Sequence, residues 1–574
     1  MDIADLNLSW AATLVEALAH SGVQHAVISP GSRSTPLTLA CARHAGIVTW
    51  VLPDERTAAF FALGLARGTG TPPMVVATSG TAPANWYPAV IEANQDLQPL
   101  VFVSADRPAE LQGCGANQTI EQIRLFGTHV RQFVQLPEPV AGNDARRRLR
   151  GMIASAADHA RWPTPGPVHI NTPLHEPLVP RDLPPPSPTP RTSPSVHRGA
   201  GNVPAAVVEA LAERCAGGRG LIVCGRGDFD NAFAAAVTRL AARLACPILA
   251  DPLSGLRFGP HDRTRVLGAY DAFLRRAAFV ADHRPQWVLG LGAAPVSKAL
   301  QHYLDASDET DTTLVVPHGP WPDPGRRASR VIHADPTAFC TAMAEAAGPA
   351  APPAWCNAFL DADARARDLL ARDPAGLPVD LAATGVIGRA SPEGSAIFCG
   401  NSLVIRDVDT AMHGGRRHLR LVGNRGASGI DGNVSTTLGL AAAWPGPVIG
   451  LLGDLALYHD MNGLLAARGL DATLIVFNNG GGAIFEHLPQ RSLPDFERFW
   501  LTPTALDIAR VAALYDLRHA RVGTAREFEE AFGRAVATPG VDLIEVAVER
   551  DRSLAWHRDY WARVAGDPAG RREP

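Results

Sequence analysis

Two groups of residues in this chain have the type and spacing to do chemistry. The first pairs Gly453-Asp454 with Asn479, which follows the Asp by 25 positions inside Phe477-Asn478-Asn479-Gly480-Gly481-Gly482. Apolar runs, Val448 to Leu452 and Thr473 to Phe477, precede them and read as strands. Hard oxygen ligands therefore fall at the ends of two strands. Mg²⁺ prefers oxygen ligands and usually shares them with a phosphate, so the spacing suggests a metal clamp for a diphosphate. Asp and Asn-Gly are also ordinary turn residues, and plain turns explain the same letters. The second group is Asp54-Glu55-Arg56, ahead of an Ala-rich helix from Thr57 to Arg67. A carboxylate there favours the helix macrodipole; a chemical role for it requires a partner group.

The elements that must position these residues follow from the patterning. Trp10 to Ser21 reads as an amphipathic helix, and Val23 to Ser29 as a strand ending in Pro30-Gly31-Ser32-Arg33-Ser34. Short buried strands are expected at Met74 to Thr78 and Leu100 to Ser104. This alternation of strand and helix argues for an α/β fold with doubly wound, mainly parallel sheets. A Pro-rich stretch, Leu183 to Pro194, reads as a stiff linker. Strands of a second block are expected at Gly220 to Cys224, Pro247 to Ala250, Trp287 to Leu291, Thr313 to Val316 and Arg330 to His333. A third block adds Ala396 to Cys399 and Asp542 to Val546 to the two strands above. The expected division is 1–182, a linker over 183–199, 200–347, a linker and connecting helix over 348–374, and 375–574.

Composition narrows the function. With 574 residues, 46% hydrophobic and 19% charged, the chain can bury sizeable cores. Its 53 basic against 57 acidic residues leave no basic excess for nucleic acid or an anionic membrane. The eight Cys show no metal-ligand spacing and read as reduced thiols. No basic leader and no apolar run of roughly 18 residues stands out, so a cytoplasmic protein without a membrane span is expected. Gly225-Arg226-Gly227 lacks the third Gly of a dinucleotide fingerprint, since Asp230 stands there. His129, His459 and His487 are isolated and read as structural.

A series of motifs carries a family resemblance. They are Ser29-Pro30-Gly31-Ser32-Arg33-Ser34-Thr35-Pro36-Leu37, Asp54-Glu55-Arg56, Thr78-Ser79-Gly80-Thr81-Ala82-Pro83-Ala84-Asn85, Ser104-Ala105-Asp106-Arg107-Pro108 and Asn117-Gln118-Thr119-Ile120. Gly400-Asn401-Ser402, Asn424-Arg425-Gly426-Ala427-Ser428-Gly429-Ile430-Asp431-Gly432 and the Asn478 to Gly482 run complete the set. In this order the chain resembles the 2-succinyl-5-enolpyruvyl-6-hydroxy-3-cyclohexene-1-carboxylate synthases, thiamin-diphosphate enzymes of menaquinone and phylloquinone biosynthesis.

The resemblance implies three α/β domains: pyrimidine-binding, central and diphosphate-binding. It implies thiamin diphosphate with Mg²⁺ (Mn²⁺ as a substitute), and a homodimer or dimer of dimers with sites between subunits. The implied reaction is decarboxylation of 2-oxoglutarate and 1,4-addition of the succinyl carbanion equivalent to isochorismate. Glu55 becomes the carboxylate that keeps the aminopyrimidine N1′ protonated. Asp454 and Asn479 bind the metal by side chains and Gly481 by its carbonyl; Asn401, Ser402 and Leu455 approach the cofactor. Ile430 becomes a stiff apolar wedge under it. Both substrates are dicarboxylates, which guanidinium forks suit. The resemblance assigns Arg406 and Arg425 to the donor, and Ser32, Arg33, Arg107, Asn117, Gln118 and Lys298 to the acceptor, with Ile484 and Phe485 also at the substrate.

Ala456 and Ala483 depart from the usual pattern, by a missing hydroxyl and a missing polar or Gly residue; a change in affinity, not loss of function, is expected. Other readings are an acetohydroxyacid synthase-like or 2-oxoacid decarboxylase-like enzyme, and a protein that kept the fold and lost the chemistry. The first would not require so many cationic residues, and the second is opposed by the joint presence of Glu55, Asp454 and Asn479.

Overall fold

The computed structural model describes residues 2–182, 196–198, 201, 203–306, 309–372 and 376–566. The Pro-rich stretch expected as a linker, Leu183 to Pro194, lies outside them. The chain divides into two compact units. One comprises Met1–Arg198, Asn424–Val448 and Ala456–Ala472; the other comprises Gly199–Gly423, Ile449–Leu455 and Thr473–Pro574.

The first unit carries a six-stranded sheet of β1 (His25–Ile28), β2 (Val48–Val51), β3 (Met74–Ala77), β4 (Leu100–Asp106), β5 (Gln132–Gln135) and β6 (Pro167–Pro173). Its order is β2-β1-β3-β4-β6-β5, parallel throughout. The central strands are fully buried, β3 wholly apolar and β4 apolar over its first four residues, as suits strands covered on both faces. β6 is also buried but carries His169 and Asn171 inward. Ser104 Oγ meets both, His169 Nε2 and Asn171 Oδ1 each at 2.7 Å, which satisfies these two atoms within the core and leaves His169 Nδ1 without a partner.

The second unit carries two further sheets. One contains β7 (Gly220–Cys224), β8 (Ile248–Ala250), β9 (Val266–Leu267), β10 (Trp287–Leu291), β11 (Asp311–Val315) and β12 (Ala328–Ile332), in the order β12-β11-β10-β7-β8-β9. The other contains β13 (Ala396–Cys399), β14 (Arg420–Val422), β15 (Val448–Gly453), β16 (Ala472–Asn478), β17 (Arg518–Val522) and β18 (Val541–Ala547), in the order β14-β13-β15-β16-β18-β17. The α/β class and three parallel sheets of the expected fold are thus present. Counted within each sheet, the first and third share the order 2-1-3-4-6-5. The middle sheet has the doubly wound order 3-2-1-4-5-6.

In the first unit, the helix Glu55–Thr69 crosses the helix Asn433–Ala441 closely. A Cβ on Gly64 would stand 2.1 Å from Thr436 O, and one on Gly439 would stand 2.0 Å from Phe61 O. Only glycine permits that approach. No helix of the described residues is long and apolar enough to cross a membrane.

Candidate active site

In parallel α/β sheets, ligands bind beyond the carboxyl ends of the strands. Asp454 and Asn479 stand there in the second unit. β15 and β16 pair in parallel with Gly453 opposite Phe477, so Asp454 and Asn478-Asn479 leave the sheet side by side. Asp454 opens the helix Asp454–Asp460 and is 4% exposed. Burial pushes its carboxyl up to about 6, against backbone N–H groups of Leu455, Gly481 and Gly480 that hydrogen-bond to it and favour the ionised form. Next to these donors, the Asn479 side-chain oxygen is buried with no hydrogen-bond partner. Gly481 adopts φ 131°, and a Cβ on it would stand 2.1 Å from Leu501 O. A desolvated carboxylate beside an orphaned amide oxygen is a donor set suited to a hard divalent cation. The metal fits these residues.

Asn401 is buried and Ser402 half-buried at the end of β13. Ser402 holds a positive φ of 68°, strain of a kind that collects at ligand-binding turns. Arg406, one turn on, donates through Nη1 to the Ser402 carbonyl. It lines a cavity of about 580 Å³ together with Lys298, Ile484, His487, His557 and Trp561. Three residues that the sequence nominated separately, Lys298, Arg406 and Ile484, thus share one chamber. His487 is not isolated: its ring lies 5.6 Å from that of His557 and 5.9 Å from Trp561. Burial, then His557, pulls its pKa down to about 4, so the ring is neutral near pH 7. Phe485 is half-buried and packs beside Gly482.

The first unit holds the remaining candidates. Asp54 caps the helix Glu55–Thr69, accepting from Arg56 N at 2.9 Å and Thr57 N at 3.2 Å. Arg56 donates to His459 O at 2.8 Å, so His459 serves this helix end through its main chain. Glu55 is half-buried; burial raises its pKa and Asp54 adds to the rise, while its backbone hydrogen bond opposes it. The loop Asn424 to Gly432 carries Arg425 and Ile430. It is held by Glu92, whose carboxylate accepts the N–H groups of Gly426 and Ala427 at 2.7 Å each and of Ser428 at 3.3 Å. The Ile430 carbonyl accepts from Asn433 Nδ2 at 2.7 Å. Glu92 escaped the sequence reading. Its one signal was a carboxylate on the helix face that also carries Ala89, Val90 and Ala93.

Arg33 and Arg107 come together on one carboxylate, Glu176. Ser32 is exposed, and its carbonyl caps the next turn by accepting from Thr35 N at 3.0 Å. Gln118 is exposed and donates to Ser79 O at 3.1 Å, with Asn117 exposed beside it. Glu55 and Asp454 belong to different units.

Family models match along the chain: a thiamine pyrophosphate enzyme N-terminal TPP binding domain over residues 8–125, a middle domain of thiamine pyrophosphate over 197–398, and a C-terminal TPP binding domain over 410–546. The chain is 43% identical over 580 residues to a 2-succinyl-5-enolpyruvyl-6-hydroxy-3-cyclohexene-1-carboxylate synthase of Chloroflexus aurantiacus, covering 97% of this chain and 96% of that protein. The protein of that name from Dechloromonas aromatica is 41% identical over 545 residues, covering 95% and 99% of the two chains. The one from Geobacillus kaustophilus is 43% identical over 586 residues, covering 99% of each.

Proposed function

Because the chain belongs to the 2-succinyl-5-enolpyruvyl-6-hydroxy-3-cyclohexene-1-carboxylate synthase family, we propose that it releases CO₂ from 2-oxoglutarate and joins the remaining succinyl unit to isochorismate. The product is 2-succinyl-5-enolpyruvyl-6-hydroxy-3-cyclohexene-1-carboxylate, an intermediate on the way to menaquinone. The observation that carries this reading is the pairing of the desolvated Asp454 carboxylate with the unpartnered Asn479 oxygen.

Asp454, Asn479 and the Gly481 carbonyl would hold Mg²⁺, which Mn²⁺ could replace. Asn401, Ser402 and Leu455 would line the diphosphate, and Ile430 would pack against the cofactor. When bound, thiamin diphosphate supplies the electron sink that lets a 2-oxoacid lose CO₂. Glu55 holds a proton at N1′ of the aminopyrimidine, a task that its burial-raised pKa suits.

The substrates bring four carboxylates between them, and the chain meets these with fixed cations. Arg406 and Arg425 receive the donor. Ser32, Arg33, Arg107, Asn117, Gln118 and Lys298 receive the acceptor, while Ile484 and Phe485 exclude water from the reacting carbons. We place the domain division at 1–182, 200–347 and 375–574, with connecting segments between. The active form is a homodimer or a dimer of dimers in the cytoplasm, with Glu55 of one copy serving the metal end of another.

The test is an assay that follows the loss of isochorismate absorbance. Turnover is expected only with 2-oxoglutarate, thiamin diphosphate and Mg²⁺ all present. Consumption of pyruvate alone, with isochorismate untouched, would overturn the assignment.

A further inference from the structure

One carboxylate in the first unit has no part in the chemistry above, yet it holds two residues that do. Glu176 lies just beyond β6 with its side chain 68% exposed. Its Oε1 accepts from Arg33 Nη2 at 2.6 Å and lies 3.5 Å from Arg107 Nη1. Arg33 is 3% exposed and also donates to Leu174 O at 2.8 Å. A guanidinium buried to that degree needs a counter-anion at all times. An exposed carboxylate, by contrast, is held weakly, since water solvates it equally well.

The main chain around Glu176 is clamped on both sides. The His175 ring is gripped between Glu110, at 3.2 Å from Nδ1, and Glu138, at 3.0 Å from Nε2. Asn7 Nδ2 donates to the carbonyls of His175 at 2.7 Å and Pro177 at 3.3 Å. The backbone is therefore fixed, while the carboxylate extends into solvent with a single oxygen shared between two arginines. A substrate carboxylate can offer one oxygen to each arginine, the stronger geometry.

We propose that Glu176 is the resident counter-anion of the Arg33–Arg107 pair, and that a carboxylate of the acceptor displaces it on binding. It acts as a positioning residue that keeps both guanidinium groups aimed and neutralised until substrate arrives, at the cost of competing with that substrate. This rests on the reading that Arg33 and Arg107 serve the acceptor.

Steady-state kinetics of the holoenzyme test it through the sign of one effect. Glu176→Gln keeps the shape and removes the charge. The isochorismate KM is expected to fall about two- to fivefold, the range of an exposed ion pair, with the 2-oxoglutarate KM unmoved. A residue that merely braced the arginines would give the opposite sign. Arg107→Ala is expected to raise the isochorismate KM, and Glu176→Gln placed in that background is expected to lower it less than in the parent. An isochorismate KM that is unchanged or raised in Glu176→Gln, while Arg107→Ala raises it, overturns the competitor role alone. An isochorismate KM untouched by Arg107→Ala overturns the reading beneath it as well.

Discussion

The first and third sheets share one strand order, yet their chemistry leaves them after different strands. In the first, Glu55 opens the helix that follows the second strand, β2; in the third, Asp454 opens the helix that follows the third strand, β15. Both carboxylates sit in the first turn of a helix, where the macrodipole favours the ionised form. Burial overrides the dipole at both and raises both pKa values. Their neighbours then set them apart. Asp454 is surrounded by backbone N–H donors and the bare oxygen of Asn479, an environment that welcomes a cation. Glu55 has a second carboxylate, Asp54, pushing its pKa further up, an environment that welcomes a proton. A repeated frame fixes where a carboxylate can stand, and the residues around it decide what it holds.

The sharpest way to break this contrast is Glu55→Gln. Removing the carboxyl proposed to keep N1′ protonated is expected to lower kcat by about 10²- to 10⁴-fold, the range of general acid–base catalysis. Titration of thiamin diphosphate with Mg²⁺ is expected to show binding retained. Activity like that of the parent would remove Glu55 from the mechanism.

Asp454→Asn addresses the other side. The Asp454 pKa is raised from 3.8 to about 6 in the fold. With the folded value above the unfolded one, the contribution to stability is present below pH 3.8 and is lost as pH rises through about 6. The metal-free protein at neutral pH therefore carries a destabilised carboxylate, at a cost of about 3 kcal/mol. Asp454→Asn is expected to raise the Tm of the metal-free protein at pH 7 and to abolish the further rise that Mg²⁺ with thiamin diphosphate gives the parent. In the parent, cofactor affinity is expected to weaken as pH falls below about 6, where a proton competes with the metal for the carboxylate. A Tm shift on cofactor addition that survives in Asp454→Asn would take Asp454 out of the metal site.

What the sequence revealed, and what it hid, follows from burial. The interior strands β3, β4, β7, β10, β13, β15 and β16 are apolar runs, and they stand out from the residues alone. The unread strands β2, β5, β9, β14 and β17 all lie at sheet edges, where one side has no neighbour to demand a continuous apolar run. β2 is almost wholly exposed, and β17 alternates basic residues with Ala520 and Val522. β6 is interior but was hidden for a different reason: His169 and Asn171 break its apolar pattern, and their partners come from β4, from Gln122 and from Gln135 of β5. The site divides in the same way. Asp454 and Asn479 could be read because two strands and a fixed spacing bring them together. Glu92 and Glu176 could not, because each acts across more than 60 residues of intervening chain on groups that only the fold places beside it.

Arg425 offers the smallest and finest probe of the contrast between the two regions. It lies in the loop that Glu92 tethers, in the same unit as Glu55. If that unit supplies substrate charge as well as the proton-holding carboxyl, Arg425→Ala is expected to raise the 2-oxoglutarate KM at least severalfold. A charge-assisted hydrogen bond contributes about 1.5 to 3 kcal/mol. Glu92→Gln separates contact from support. The amide replaces an acceptor that three backbone N–H groups share, so the loop loosens and Tm is expected to fall along with any change in KM. Arg425→Ala, on a half-buried side chain, is expected to move KM while leaving Tm nearly in place. An unchanged 2-oxoglutarate KM in Arg425→Ala would shift donor recognition to Arg406 and its chamber, leaving the first unit with the proton and the acceptor alone.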